Sequence, residues 1–170
     1  DKDREVIGDP NPDFTYGIVN SFAYGAFDLN FVIQGVSGGN VWNLGDYILN
    51  RLGNRTKAAL DYWTPTNTNA AYPAPGQDVG SDFHGDFSVE NASYLRLKSI
   101  SLGYNVPVGG IKFLRSLRFF ASASNVFTIT GYKGFDPEIN SFAQSNLFRN
   151  IDILTVPLYK TYTFGLNIGL

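Results

Sequence analysis

The chain has 170 residues, 44% of them hydrophobic and 15% aromatic, a composition that suits a folded unit and excludes a disordered tail. Its 13 Lys and Arg residues nearly balance its 15 Asp and Glu residues, and no basic stripe runs among the aromatics, so nucleic acid is not an expected partner. The absence of cysteine excludes disulfides, thiolate metal sites and cysteine nucleophiles. No run of about 20 apolar residues marks a spanning helix. The opening DKDREVIGDPNPD is not a secretory signal, so we expect an exported parent protein to begin upstream.

The first predicted element is a β-hairpin. Over residues 13–24 apolar side chains recur at every second position, with Asn20 as the one polar exception, as in half-buried strands. In the strand predicted over 27–37 the alternation resumes from Phe27 to Ile33. The alternating apolar residues are Phe14, Tyr16, Ile18, Phe22, Tyr24, Phe27, Leu29, Phe31 and Ile33. Only Gly25 and Ala26 separate the two runs, which is the loop length of a tight hairpin turn. The first two strands are therefore expected to be antiparallel neighbours.

A long connection over residues 38–91 follows the hairpin. It starts within GVSGGN, which lacks the Lys-Ser/Thr of a phosphate-binding loop and is expected to form a bend. Apolar residues then recur at roughly helical spacing, with Gly53 expected to interrupt the helix. They are Leu44, Tyr47, Ile48, Leu52, Leu60 and Trp63. The remainder is polar and contains proline and glycine, as surface loops do.

Three further strands are predicted over residues 92–106, 116–130 and 159–170, with a second long loop over 131–158 between the last two. The final strand, within TYTFGLNIGL, alternates aromatic or aliphatic residues with small or polar ones at every position. It therefore has two faces of opposite character.

The first of these three strands contains a change of phase. Leu95 and Leu97 lie on one parity, whereas Ile100 and Leu102 lie on the other. A β-bulge near residues 98–99 would restore one continuous apolar face, and we expect one there.

The lengths of the connections favour a membrane barrel. The four connections between the five predicted strands are short, long, moderate and long. Antiparallel strands send alternate connections to opposite ends of a sheet, so both long loops are expected to leave the same end. Bacterial outer-membrane barrels have this asymmetry, with short periplasmic turns and long extracellular loops. Strands of 10 to 15 residues also suit a hydrocarbon layer that a tilted strand crosses in about 9 to 11 residues. A soluble sandwich stays open as an alternative, because the alternation is a weak signal in each strand.

The strand faces give specific expectations. The residues predicted to face lipid are Phe14, Ile18, Phe31, Ile33, Leu102, Phe119, Phe164 and Leu166. The residues predicted to face the lumen are Gln34, Arg96, Lys98, Arg118 and Asn167. Five strands cannot close a spanning barrel, so we expect the chain to be one part of a larger one.

Four blocks of sequence resemble, in this order, the C-terminal barrel region of the SusC/RagA family of TonB-dependent transporters from Bacteroidetes. They are WTPTNTNAAYPAP (63–75), NASYLRLKSISLGYNVP (91–107), ASNVFTITGYKGFDPEIN (123–140) and VPLYKTYTFGLNIGL (156–170). The stretch GDPNPDFTYGIVNSFAYGAFDLNFVIQG fits the hairpin that precedes them in the family, so the resemblance covers nearly the whole chain. It implies an all-β fold, the last five strands of a 22-stranded antiparallel transmembrane barrel, with long extracellular loops, one of them partly helical.

The same resemblance implies a function and partners. Family members import glycan or peptide fragments across the outer membrane with a SusD-like surface lipoprotein, and draw energy from the TonB complex. The plug, the segment that contacts TonB and the other strands would belong to the remainder of the transporter, and no cofactor is expected. We expect residues 39–90 and 131–157 to supply most contacts with a second subunit, and the turns at Gly25 and 109–110 to supply none.

Aromatic residues in the two long loops are the candidate contacts for cargo or a partner. Aromatic faces stack on sugar rings or on peptide side chains, and they also anchor protein interfaces. The alternative is that they pack on one another to hold the loops. The set is Trp63, Tyr72, Phe83, Phe87, Tyr132 and Phe135.

Two acidic clusters are weaker candidates for chemistry. His84 lies between Asp82 and Asp86, but without a second histidine we expect a solvated loop and no metal site. Asp136 and Glu138 resemble the paired carboxylates of a glycoside hydrolase, although Asp before proline is also typical of a turn. The leading hypothesis is therefore a transporter rather than an enzyme. A soluble β-sheet domain for ligand binding or adhesion is the alternative, followed by an outer-membrane barrel enzyme.

Overall fold

A computed structural model describes residues 5–51, 55–75, 86–111, 113–138, 141–142, 145 and 148–170. The chain divides into two compact units. The loop unit comprises Asp1–Asn11, Gly39–Ala92 and Tyr132–Pro157, and the sheet unit comprises Pro12–Gly38, Ser93–Gly131 and Leu158–Leu170.

The described residues form eight strands, numbered in chain order. They are β1 (Phe14–Tyr24), β2 (Phe27–Ser37), β3 (Asn40–Asn43), β4 (Val89–Asn91), β5 (Tyr94–Val106), β6 (Ser116–Thr130), β7 (Ile151–Asp152) and β8 (Thr161–Gly169). Helix α1 spans Leu44–Arg51, and short 3-10 helices span Lys57–Leu60 and Asp86–Ser88. No helix in the part of the chain described by the structure is long and apolar enough to cross a membrane.

The sheet unit is a single antiparallel sheet in the order β1-β2-β5-β6-β8. Each strand therefore pairs with the next long strand along the chain, and the expected antiparallel hairpin of β1 and β2 is confirmed, with Phe14 opposite Ser37 and Tyr24 opposite Phe27. Gly25 between them has a φ of 58°, a left-handed conformation that tight hairpin turns require and glycine adopts without strain. Both long connections, after β2 and after β6, leave the same end of this sheet.

The expected bulge in β5 is confirmed. Leu97 lies opposite Ile33 and Ser99 lies opposite Val32, so β5 has one more residue than β2 at Lys98. The pairing with β6 shifts at the same place. The bulge returns the apolar residues on both sides of it to one face of the sheet.

The two faces of the sheet unit differ in character. Residues that lie opposite each other on neighbouring strands project from the same face of a sheet. The strand register therefore places all eight residues predicted to face lipid on one face. Most of this face is exposed, and Phe164 on β8 reaches 80% exposure. On a soluble domain, an apolar face of this size would have to be buried against another part of the protein or a partner. On the wall of a membrane barrel, lipid covers such a face.

The polar face carries an ion pair that spans three strands. Arg118 on β6 binds Asp28 on β2 through two hydrogen bonds, Nη2 to Oδ1 at 2.6 Å and Nε to Oδ2 at 3.2 Å. Gly103 on β5 lies between them, and a Cβ at that position would overlap both side chains. The absence of a side chain at Gly103 on β5 therefore allows the ion pair to join β2 and β6 directly.

The loop unit has its own small sheet, in the order β4-β3-β7. Strand β3 pairs antiparallel with β4 and parallel with β7. The bend expected within GVSGGN lies at its two adjacent glycines, between β2 and β3, with φ of 78° at Gly38 and 75° at Gly39. Directly after β3, the side-chain oxygen of Asn43 accepts a hydrogen bond from the Asp46 amide at 2.9 Å and so caps helix α1.

The helix is shorter than the helical spacing of residues 44–63 suggests. Its described part spans Leu44–Arg51, and Lys57–Leu60 forms a separate 3-10 helix that begins after the extended residue Thr56. Tyr47 on the helix is buried, while Leu60 is exposed, because the two no longer share one helical face. Gly53, the expected interruption, lies outside the described residues.

Candidate functional site

Strand β3 organises the loop unit because its side chains alternate between two different environments. Val41 and Asn43 are buried on one face, while Asn40 and Trp42 are half-buried on the other. The first face is the core of the unit, and the second lines an open pocket.

The core face combines apolar packing with buried acid groups. Val41 packs with Ala92 and with Tyr132, whose ring is 6% exposed. The Tyr132 hydroxyl donates a 2.7 Å hydrogen bond to the buried carboxylate of Asp152. Burial and this carboxylate both raise the pKa of Tyr132 far above its ordinary value. Tyr132 is thus a neutral donor that satisfies a buried anion.

Glu90 on β4 links the end of β3 to the second long loop. It accepts a hydrogen bond from the Asn43 side chain at 3.0 Å and another from the Lys133 backbone amide at 2.8 Å. Two segments, each more than 40 residues away from Glu90 in sequence, are therefore held at one carboxylate. A carboxylate with two donors in a part-buried position is a fixed structural element.

A second hydrogen-bonded group ties helix α1 to the following loop. The Tyr72 hydroxyl donates to Asp46 Oδ1 at 2.9 Å, and the Asn50 side chain donates to both the Tyr72 hydroxyl (3.2 Å) and Asp46 (2.7 Å). Burial, followed by the Asp46 carboxylate, raises the pKa of Tyr72 to about 12.

This pKa predicts an alkaline transition. A raised folded-state pKa means that the contribution of Tyr72 to stability is complete below its ordinary pKa of about 10 and is lost as the pH rises through about 12. The phenolate absorbance of the wild type minus that of Tyr72→Phe should therefore titrate near pH 12 in the folded parent protein and near 10 in the unfolded one. Asp46→Asn should lower the folded midpoint. Equal midpoints in the folded and unfolded states would contradict the assignment.

The loop that carries Trp63 is a compact turn. Asp61 accepts hydrogen bonds from the Asn67 side chain at 2.9 Å and from the Ala71 amide at 3.2 Å, and these two bonds lower the pKa of its carboxyl group. The backbone amide of Trp63 donates to the Tyr72 carbonyl at 2.7 Å. The ordered turn presents the Trp63 ring at the surface, where it is 44% exposed.

The structure separates the candidate aromatic residues into two groups. Tyr132 lies in the core, Tyr72 is bonded to Asp46, and the Phe87 ring lies 6.5 Å from that of Tyr47, so these three side chains contact other residues of the loop unit. Trp63 and Phe135 are exposed, the latter by 63%. Phe83 lies outside the described residues.

The acidic candidates have ordinary structural surroundings where they are described. Asp136 accepts a hydrogen bond from the Glu138 amide at 2.9 Å, which is the side-chain turn expected of Asp before proline. Asp82 and His84 lie outside the described residues, and Asp86 starts a 3-10 helix. Among the described residues no three metal-ligating side chains come together.

The predicted lumen residues lie on the sheet unit, on or beside its polar face. Gln34 is opposite Arg96 and donates to the Tyr94 hydroxyl at 3.2 Å. Arg96 is buried, donates from Nε to Thr128 at 2.9 Å and stacks over the Tyr94 ring. The others are Arg118, opposite Asn105; Asn167, opposite Arg118; and Lys98, at the bulge.

The pocket of the loop unit has a volume of about 500 Å³. It is lined by the N-terminal segment, by β3 and β4, and by residues 148–151. Sequence reasoning did not find it, because its walls come from three segments far apart in the chain. The available signals were Trp42, which interrupts the polar start of the first long loop, and Arg149, one of the few cations in the second.

Comparison with known proteins then places the chain in a family. No family model matches it. The TonB-dependent receptor P3 of Formosa agariphila is 38% identical over 98% of this chain, and the TonB-dependent receptor SusC of Bacteroides thetaiotaomicron is 28% identical over 98% of it. The RagAB peptide importer in its open-open state is similar in structure, with a TM-score of 0.75 and 28% identity over 94% of this chain. The chain is part of a SusC/RagA-type TonB-dependent receptor.

This receptor segment spans about a sixth of the length of its relatives, since it covers 17% of receptor P3, 16% of SusC and 17% of the RagAB chain. The predicted fold class is confirmed: the segment is mostly antiparallel β-sheet and matches the fold of those larger proteins. Its five long strands form an open sheet, as expected of one part of a barrel wall. The relatives are described as receptors and importers rather than as enzymes.

Proposed function

We propose that the receptor segment forms part of the wall and outer mouth of an outer-membrane importer that takes up glycan or peptide fragments through TonB. The exposed apolar face of the sheet unit carries this proposal, since such a face on an antiparallel wall is what contact with lipid predicts. The five predicted lumen residues would then face the interior, and the loop unit would stand on the extracellular side. The role is non-enzymatic.

The parent protein provides the test of this function. It should fractionate with the outer membrane and need detergent for extraction. Cells should accumulate its cargo only with an intact TonB complex and a proton-motive force. A parent that is soluble without detergent would support the alternative of a soluble binding or adhesion domain. Cargo accumulation that persists without TonB would remove the import mechanism.

The proposed partner is a SusD-like lipoprotein that covers the mouth of the barrel. A wide pore that captures large cargo needs closure while the plug moves, or the cargo diffuses away. Within the loop unit, Trp63 and Phe135 are large, exposed aromatic side chains of the kind that dominate protein interfaces. Leu60, next to the Trp63 turn, adds exposed apolar area.

Removing these rings should weaken binding of the lipoprotein. Trp63→Ala and Phe135→Ala should each lower the affinity of the purified parent for the lipoprotein about tenfold or more, measured by surface plasmon resonance. Phe113→Ala is the matched control, because Phe113 is 74% exposed but lies in the β5–β6 connection, at the opposite end of the sheet from the long loops. An equal loss in the control, or no loss in either loop variant, would place the partner elsewhere.

A further inference from the structure

The pocket of the loop unit lies on the face of the small sheet that the core does not use. Trp42 is opposite Val89 on one side and opposite Ile151 on the other, so these three residues form one row across the pocket floor. The indole Nε1 donates to Ser88 at 3.1 Å, which fixes the ring. The floor is therefore an ordered apolar and aromatic surface.

Asn150 holds the walls of the pocket together. Its side-chain amide donates to the Pro10 carbonyl at 2.7 Å and to the Asn40 carbonyl at 3.3 Å. Its own carbonyl accepts from the Trp42 amide at 2.8 Å. Asn150 also has a φ of 51°, a left-handed conformation that Asn tolerates better than most residues. One residue thus joins the three segments, and the pocket is formed before any ligand enters.

The described lining of the pocket carries one positive charge. Among the described residues that line it, Arg149 is the charged one, and the polar groups around it are the neutral amides of Asn11, Asn40 and Asn150. Arg149 donates from Nη1 to Asn11 Oδ1 at 3.3 Å, and Asn11 in turn donates to Asp9 at 2.8 Å. No described carboxylate forms an ion pair with Arg149. A guanidinium has five N–H donors, so it retains donors for an anion.

We propose that this pocket binds a carboxylate at one end of the imported fragment. Arg149 pairs with the carboxylate, Asn11 orients the guanidinium, and Trp42 and Phe148 cover the adjoining apolar or ring portion of the fragment. A volume of about 500 Å³ is within the range of small-ligand sites and admits the end of a chain. The proposal rests on the import function above and adds the chemical class of the cargo.

A carboxylate can come from a peptide or from an acidic sugar, so the test uses both. The purified full-length receptor is titrated calorimetrically with acetyl-Leu-Phe and its C-terminal amide, and with a glucuronyl disaccharide and its glucosyl counterpart. We expect the acid of at least one pair to bind about tenfold more tightly than its neutral counterpart, which is the affinity that one charge-assisted hydrogen bond contributes. The pair that shows this preference identifies the source of the carboxylate.

Variants connect the preference to the pocket. Arg149→Gln should reduce the difference within the preferred pair to about twofold or less, and Arg149→Lys should retain part of it because the charge remains. Arg55→Gln is the matched control, an exposed arginine of the same unit that does not line the pocket. Folding of each variant is checked by its heat-modifiable migration. Equal affinities within both pairs, no detectable binding of either acid, or equal effects of the two glutamine variants would overturn the proposal.

Failure of the pocket and failure of the import function are distinguishable. TonB-dependent accumulation of cargo by cells whose receptor shows no preference for acids would overturn the pocket and leave import standing. An acid preference that depends on Arg149, in a receptor that accumulates nothing in energised cells, would support the pocket and overturn import.

Discussion

Phe164→Arg should destabilise the barrel wall by about 2 to 4 kcal/mol, the cost of an arginine on the lipid face near the middle of a membrane. Phe164 lies near the centre of β8, opposite Ala121, on the apolar face of the sheet. Its large exposure means that no described part of the chain can shelter the guanidinium from lipid. The measurements are the folded fraction in the outer membrane, by heat-modifiable migration, and denaturant unfolding of the purified parent in detergent.

The neighbouring residue provides the control. Thr163 lies opposite Ser122 on the polar face, so Thr163→Arg places the same charge one residue away but on the other side of the wall. It should assemble nearly as well as the wild type. If the two arginine variants assembled equally well, the assignment of the lipid face would be wrong.

Tyr132→Ala should open the loop unit, with a local cost of about 3 to 5 kcal/mol for removing a buried aromatic ring. The change leaves a cavity beside Val41 and Ala92 and removes one of the donors to the buried Asp152 carboxylate, which keeps the bond from the Thr155 amide. Tyr132→Phe should cost less, about 1 to 3 kcal/mol, because the ring remains and the hydroxyl that donates to Asp152 is lost. Hydrogen exchange of the peptide that contains β3, followed by mass spectrometry on the folded parent, measures the opening.

Phe135→Ala is the matched control for this core. Phe135 is three residues away but exposed, so its loss should change the exchange of β3 by about 0.5 kcal/mol or less. Together with the binding experiment, this separates the aromatic residues that hold the loops from those that contact a partner. Faster exchange in Phe135→Ala than in Tyr132→Ala would reverse the division.

The sequence predicts the sheet unit well because each long strand carries its own signal. In β8 every residue alternates in character, and in β1 the alternation runs from Phe14 to Tyr24. Even the bulge at Lys98 is visible, since one extra residue changes the parity of everything that follows. Local periodicity is therefore enough to predict a strand that is long and whose two faces differ in polarity.

The loop unit could not be predicted in the same way. Strands β3, β4 and β7 have four, three and two residues, too few for a period to be recognised, and they are held by partners far away in the chain. The burial of Tyr132 depends on Asp152 and Val41, and nothing in the local sequence distinguishes it from the exposed Phe135. The pocket depends in the same way on a single residue, Asn150, whose three bonds reach two distant segments.

The ion pair over Gly103 makes three positions of the barrel wall mutually dependent. Arg118 and Asp28 are 90 residues apart in the chain, yet neither can keep its partner if Gly103 gains a side chain. Replacing β2, β5 or β6 alone with a strand that lacks Asp28, Gly103 or Arg118 would therefore leave a charge unpaired or create a steric clash. Chimeric barrels built from this family should transfer these three strands as one block.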